Sequence, residues 1–379
     1  MPLEFVDRIT RETAGHRSGL PQFVFGLNSG LSDVGLGFCL FAACLLGCGS
    51  ASGQTWVTNG PYGGLITALA VDPKTPTTIY AGSTNFHGSG AGIFKSVNGG
   101  RNWTAINNGL SSGLNLDLFD GVGLSGNLAI AALAIDPVTP TTLYAGTLQG
   151  LFKSTDAGGS WSFIDPMVPL NGGSQAVGQI SALAIDPTTP TTLYAASSSA
   201  GLFKSTDGGA SWTATNNGLP GTVSQVVALA INPVTPTTLY AVMGLVAGSV
   251  NGCGTVNGTC QDVFKSTDGG GSWGPASAGL PAVINVLALA IDPVTPTTLY
   301  AAAKLVGSSW LGVFKSTDGG GSWSTINTGF ADLDIQSVAV DPGTPTTLYA
   351  GDAFGPIYKR TNGGETGAPS QAPTATANL

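Results

Sequence analysis

A chain of 379 residues in which 9% are charged, while 57 glycines and 23 prolines punctuate it, suits short strands joined by many turns and excludes a helical bundle. Its formal charge is −8, with 13 Lys and Arg against 21 Asp and Glu, so no basic patch is available to neutralise phosphates, which argues against a nucleic-acid partner.

In chain order, the first feature is an uncharged apolar run at residues 34–47, preceded by Arg8, Arg11 and Arg17 and shorter than the ~20 residues a spanning helix needs. We read residues 1–48 as an export signal. Leu45-Leu46-Gly47-Cys48 resembles a lipobox, in which Cys48 would be lipidated and tether the chain to a membrane; ordinary cleavage nearby, for example after Ala51, is the alternative. Either way the expected location is outside the cytoplasm: secreted, periplasmic or lipid-anchored at the cell envelope. The leader carries away three Arg, two Glu and two Asp, which leaves His87 as the one histidine and Arg101 and Arg360 as the arginines.

Beyond it, self-similarity dominates, and a unit repeated at tens of residues marks a solenoid or propeller. One half-unit, Asp-Pro-x-Thr-Pro-Thr-Thr-Leu/Ile-Tyr, begins at Asp72, Asp136, Asp186, Asn232, Asp292 and Asp341. The other, Phe-Lys-Ser-Thr-Asp-x-Gly-x-Ser-Trp or near it, spans Ser96 to Trp103, Ser154 to Trp161, Ser205 to Trp212, Ser266 to Trp273 and Ser316 to Trp323, with a degenerate sixth copy from Lys359. Each unit reads as four strands. The segment before Asp-Pro, such as Ala182-Leu183-Ala184-Ile185, alternates small and large apolar residues, as a strand near a crowded axis would. Asp and Pro make a turn, Thr-Thr-Leu-Tyr-Ala and Gly-Leu-Phe-Lys-Ser are the second and third strands, and Trp opens a fourth after a Gly-rich hairpin. The expected fold is all-β: one six-bladed β-propeller of four-stranded antiparallel blades over residues 54–364. Gln54 to Asn59 aligns with the strand after Gly321 through Trp56, so this first strand is expected to complete the last blade and close the ring. Residues 365–379, rich in Pro, Ala and Thr, are expected to be disordered. Cys253 and Cys260 flank a Gly-rich stretch and suggest a disulfide; with His87 far away in sequence, they are too few for a zinc site.

Ser-x-Asp-x-Gly-x-x-Trp, intact from Ser154, Ser205, Ser266 and Ser316, resembles the Asp-box of the BNR/sialidase-type propeller superfamily, within the wider WD40/YVTN/BNR-like repeats. The first copy has Asn98 in place of Asp and the last lacks its Trp. The resemblance implies a structural hairpin, with Asp156, Asp207, Asp268 and Asp318 bonding turn amides and Trp161, Trp212, Trp273 and Trp323 packing between blades. The repeats are also similar to those of xyloglucanase-type and photosystem II assembly factor-type propellers.

In a four-stranded meander the two kinds of tight turn share one face, and the second-to-third and blade-to-blade connections share the other. Every sizeable insertion falls on the second face, which is our candidate ligand-binding face. It carries Asp117, Asp120, Asp332, Asp334 and Asp352, which could bind a cation such as Ca2+ or, for Asp120, Asp332 and Asp334, act as an acid and base pair. Phe86, His87, Phe119, Trp310 and Phe354 are candidate platforms for a sugar or peptide. A sialidase of this superfamily would need an arginine cluster and a Tyr–Glu pair, and Arg101, Arg360 and Glu365 cannot supply them. The two-propeller cleft of the xyloglucan-active enzymes and the arginine-rich patch of the assembly factors are likewise not evident. The expected function is therefore an exported, non-enzymatic, monomeric propeller without a cofactor that binds a polysaccharide, peptide or protein, with a glycoside hydrolase as the alternative.

Overall fold

The computed structural model describes residue 61 and residues 65–84, 92–110, 129–164, 168–170, 173–175, 179–197, 200–220, 226–244, 255–256, 259–260, 263–281, 284–305, 310–328, 335–352, 357–363 and 370–371. They form strands and turns and no helix; none therefore is long and apolar enough to cross a membrane. Blade 1 is β1 (Leu65–Val71), β2 (Ile79–Thr84), β3 (Gly92–Ser96) and β4 (Thr104–Ala105), and blade 2 is β5 (Ile130–Ile135), β6 (Leu143–Thr147), β7 (Gly150–Ser154) and β8 (Ser162–Phe163). After a hairpin of β9 (Val168–Leu170) and β10 (Gly173–Gln175), blade 3 is β11 (Ile180–Ile185), β12 (Leu193–Ser197), β13 (Gly201–Ser205) and β14 (Thr213–Ala214). Blade 4 is β15 (Val226–Ile231), β16 (Leu239–Met243), β19 (Val263–Ser266) and β20 (Gly274–Pro275), with a hairpin of β17 (Thr255–Val256) and β18 (Thr259–Cys260) between its second and third strands. Blade 5 is β21 (Ile284–Ile291), β22 (Leu299–Leu305), β23 (Trp310–Ser316) and β24 (Ser324–Thr325), and blade 6 is β25 (Ile335–Val340), β26 (Leu348–Asp352), β27 (Ile357–Arg360) and β28 (Ser370–Gln371). The six four-stranded antiparallel sheets make the expected six-bladed propeller.

The closing strand differs from expectation. β27 pairs with β28 through Tyr358 opposite Gln371 and Lys359 opposite Ser370, so the C-terminal segment, not residues 54–59, completes blade 6. The tail that was expected to be disordered thus supplies a strand, while residues 54–59 lie outside the described residues. Chain economy accounts for the choice: closing the short loop from β27 to β28 costs less conformational entropy than recruiting a segment from the far end of the sequence.

Because strand side chains alternate, each blade offers one side to the blade before it and the other to the blade after. Tyr80 and Ile93 of blade 1 pack on Ile130, Leu143, Phe152 and Trp161 of blade 2, and the same layer recurs through to Tyr300 and Val313 against Leu348 and Tyr358. The core is therefore a series of layers between blades. Alanines such as Ala182 and Ala184 let the inner strands approach, and every inner strand carries a bulge near its start, as between Ile180 and Ala182, which adds twist.

Polar groups fix each layer. The hydroxyls of Tyr80, Tyr144, Tyr194, Tyr240 and Tyr300 donate to the carbonyls of Ala157, Gly208, Gly269, Gly319 and Gly363 in the following blade at 2.9–3.5 Å. The same five carbonyls accept from Lys95, Lys153, Lys204, Lys265 and Lys315 at 2.5–3.1 Å. Each ammonium also sits 5.4–5.8 Å from the centroid of its tyrosine ring, within cation–π range. Burial pushes these five phenols up to about 12, so they remain donors at any physiological pH.

Candidate functional site

The turn-bearing face is bound to its own scaffold. In each Asp-Pro turn the acid accepts two successive amides: Asp136 Oδ1 takes the N–H of Val138 and Thr139 at 2.8 and 2.9 Å, and Asn232 does the same for Val234 and Thr235. In the Asp-box, Asp156 Oδ1 accepts from Ser154 Oγ and the Ser160 amide, and its Oδ2 from Ser160 Oγ, at 2.7–2.9 Å. Asp207, Asp268 and Asp318 repeat this set. These bonds, the hydroxyl of the following serine first among them, hold all four carboxyls down at about 2. Saturated with donors and exposed, they are poor candidates for acid–base work. Asn98 of the first box accepts from Ser96 and the Asn102 amide in the same geometry.

The box tryptophans reach backwards. Trp161, Trp273 and Trp323 donate their indole N–H to Ile106, Thr215 and Ala276 of the preceding blade at 2.8–2.9 Å, whereas Trp212 bonds Gly209 in its own turn. Blade 6 lacks the tryptophan, and Arg360 takes over: its guanidinium donates to the carbonyls of Ile326 at 2.7 Å and Thr328 at 3.3 Å. Burial lowers the affinity of this guanidinium for its proton. Arg360, one of the two arginines beyond the leader, thus lies in a seam between blades. Beside it, Val313, Val338, Tyr358 and Arg360 line a cavity of about 20 Å³, too small for any ligand larger than a single water.

The long connections begin at the ends of β2, β4, β8 and β16, on the side away from the tight turns, and most of their residues lie outside the described ones. Of the candidate residues there, Phe86, His87, Asp117, Phe119, Asp120, Asp332, Asp334 and Phe354 lie outside the described residues, as do Cys48 and Cys253. Trp310 opens β23 opposite Lys304 at the loop-bearing end of blade 5, and Cys260 lies in β18 opposite Thr255. Asp352 ends β26 opposite Ile335 and is 3% exposed, so it is not a solvated loop tip. Its counterparts in register, Thr147 and Ser197, use their hydroxyls on the loop that follows: Thr147 donates to Gly150 O and accepts from the Gln149 amide, and Ser197 accepts from the Ala200 amide. Asp352 occupies that loop-anchoring position. Among the described residues no group of three or more His, Cys, Asp and Glu is assembled that could hold a metal ion.

Two residues on this rim escaped the sequence reading. Thr67 and Ser181 sit at the inner-strand bulges, where the one hydroxyl proton of each lies between a carbonyl of the next blade, Ile130 O or Val226 O, and one of its own, Gly82 O or Ala196 O. A hydroxyl inside an otherwise apolar strand is the signal that could have found them.

No family model matches the chain. A xyloglucanase of Paenibacillus sp. is 28% identical over 281 residues, which cover 67% of this chain and 25% of that protein. Among solved structures, the GH74 enzyme of Niastella koreensis superposes with a TM-score of 0.58 at 20% identity, over 80% of this chain and 46% of the other. YCF48 bound to D1 peptide superposes with a TM-score of 0.51 at 14% identity, over 82% and 83% of the two chains. The fold is that of the xyloglucanase and YCF48 propellers. The chain spans about a quarter of the curated relative and under half of the GH74 enzyme, and most of the length of YCF48.

Proposed function

We propose that this protein is an exported binding propeller whose loop-rich face holds a polysaccharide, with no covalent chemistry. The observation that carries the reading is the division of labour between the faces. On one, turns of nearly constant length consume their own aspartates and serines in backbone hydrogen bonds. On the other, connections differ widely in length from blade to blade, the pattern expected where recognition is grafted on a rigid scaffold. Lys95, Lys153, Lys204, Lys265, Lys315 and Arg360, which could have served a charged substrate, are spent between blades. Likeness to a xyloglucanase supports a carbohydrate ligand; a peptide, as in YCF48 bound to D1 peptide, or a protein surface is the other occupant of the same face. Export would follow from residues 1–48, and a lipid on Cys48 would hold the face at the cell envelope.

A glycoside hydrolase is the second reading, favoured by the same 28% identity. It would require two of Asp120, Asp332 and Asp334 about 5–9 Å apart across a sugar. The test incubates the purified chain with xyloglucan and with other plant and microbial polysaccharides, recording retention on insoluble material and reducing-end release together. Retention without release is expected. Release abolished by Asp120→Ala, Asp332→Ala or Asp334→Ala establishes the hydrolase, and neither retention nor release moves the ligand to a peptide or protein.

A further inference from the structure

The junction between blade 6 and blade 1 stands apart from the other five. Successive inner strands pack on one another from β1 through β5, β11, β15 and β21 to β25, whereas β25 and β1, among the described strands, do not pack in this way. Yet blade 6 carries the gripping pair of every other blade. Lys359 stacks over Tyr349 at 5.5 Å, opposite it in register as Lys204 is opposite Tyr194. The difference is exposure: Tyr194 and its four counterparts are buried and their lysines half-buried, while Tyr349 is half-buried and Lys359 exposed. Blade 1 shows the complementary gap. A methyl group added at Gly208, Gly269 or Gly319 would lie 2.9–3.4 Å from a gripping lysine Nζ, and one added at the equivalent Gly99 would meet no atom within 4 Å. The apolar sides agree. Ile79 and Phe94 of blade 1 are half-buried, although Leu193 and Phe203, Leu239 and Phe264, which hold the same places, are buried.

We propose that the first and last blades are joined by a sixth grip, in which the Tyr349 hydroxyl and Lys359 ammonium donate to the Gly99 carbonyl. The donor pair and the acceptor turn are the same chemistry that works five times in this chain, left unmade at one place. The occupant is the chain's own blade 1, because tethering through four intervening blades gives it a far higher effective concentration than any second copy. Closure would also cover Ile79 and Phe94 with Ala339 and Ile357 of blade 6.

Limited acetylation of lysines in the native full-length chain, read by mass spectrometry, tests this. A closed joint makes Lys359 label as slowly as Lys204 and Lys265, against an open joint labelling roughly tenfold faster, like the exposed Lys74. Ile79→Asp, which places a charge on the seam side of blade 1, should then raise Lys359 labelling about tenfold and leave Lys95, Lys204 and Lys265 protected, which shows that the blades themselves remain folded. Fast labelling of Lys359 in the native chain overturns the proposal, as does protection that Ile79→Asp fails to lift. Protection that disappears on dilution, with light scattering reporting a dimer, overturns it in favour of a second copy as occupant.

Discussion

Arg360 donates from β27 to the carbonyl of Ile326, a residue of the preceding blade, at 2.7 Å. This is the place where Trp161, Trp273 and Trp323 put an indole N–H, and a buried guanidinium there satisfies a second carbonyl as well. Arg360→Met keeps most of the aliphatic bulk and removes the donors. It should destabilise the fold by about 1–3 kcal/mol, seen as a lower urea midpoint with an unchanged slope. A midpoint within error of the native chain would mean that the two carbonyls find water.

The Asp-box carboxyls titrate at about 2, below their ordinary range, so the folded state favours their ionised form. A depressed folded-state value gives stability that is present above the unfolded value near 4 and is lost as pH falls through the folded one. Thermal midpoints should therefore hold from neutral pH to about pH 4 and decline between about pH 4 and pH 2. Calorimetry across that range checks it, and a fall centred near pH 6 would point to another group.

Ala157 has a positive φ of 57°, at the turn position that Gly208, Gly269 and Gly319 fill at 69–71° in later boxes. A left-handed alanine costs about 1–2 kcal/mol, and glycine's extra unfolded-state entropy offsets up to about 1 kcal/mol of the relief. Ala157→Gly should consequently raise stability by up to about 1 kcal/mol. Chemical denaturation of the two proteins side by side decides it; destabilisation would show that the methyl group packs usefully.

Tyr194 and Lys204 converge on Gly269 O. Tyr194→Phe should cost about 1 kcal/mol, Lys204→Met a similar amount, and the pair more than the sum, because two donors compete for one acceptor and each single loss strengthens the bond that remains. A double-mutant cycle that closes within about 0.3 kcal/mol would make the two bonds independent.

The repeat was legible because each blade is built from local instructions. Asp136 and Pro137 announce their turn, Ser154 and Asp156 theirs, and alternation of apolar residues in Ile180 to Ile185 marks a strand on sight. What crosses between blades was not. Tyr144 and Lys153 each look like ordinary strand residues, and their shared hold on Gly208 appears only once register and neighbour are fixed. The closing strand went to Ser370–Gln371 rather than to the segment around Trp56 for the same reason: two backbone pairings carry no side-chain signature, and chain proximity decided between candidates that composition could not rank. Asp352 was read as a loop acid because its loop was visible and its burial was not. The remaining candidates of the loop-rich face, from Phe86 to Phe354, sit in segments that share no pattern from one blade to the next, which is also what makes them suited to a specific ligand.

The grips between blades all point the same way along the chain: donors on one blade, acceptor carbonyl on the next. A blade is thereby an interchangeable part, with a plug on one side and a socket on the other. Nothing in any single junction counts how many blades there should be. Duplication or loss of one unit would leave every remaining junction chemically intact, so in such an architecture blade number can drift by whole units during evolution while each blade's own sequence stays under tight constraint.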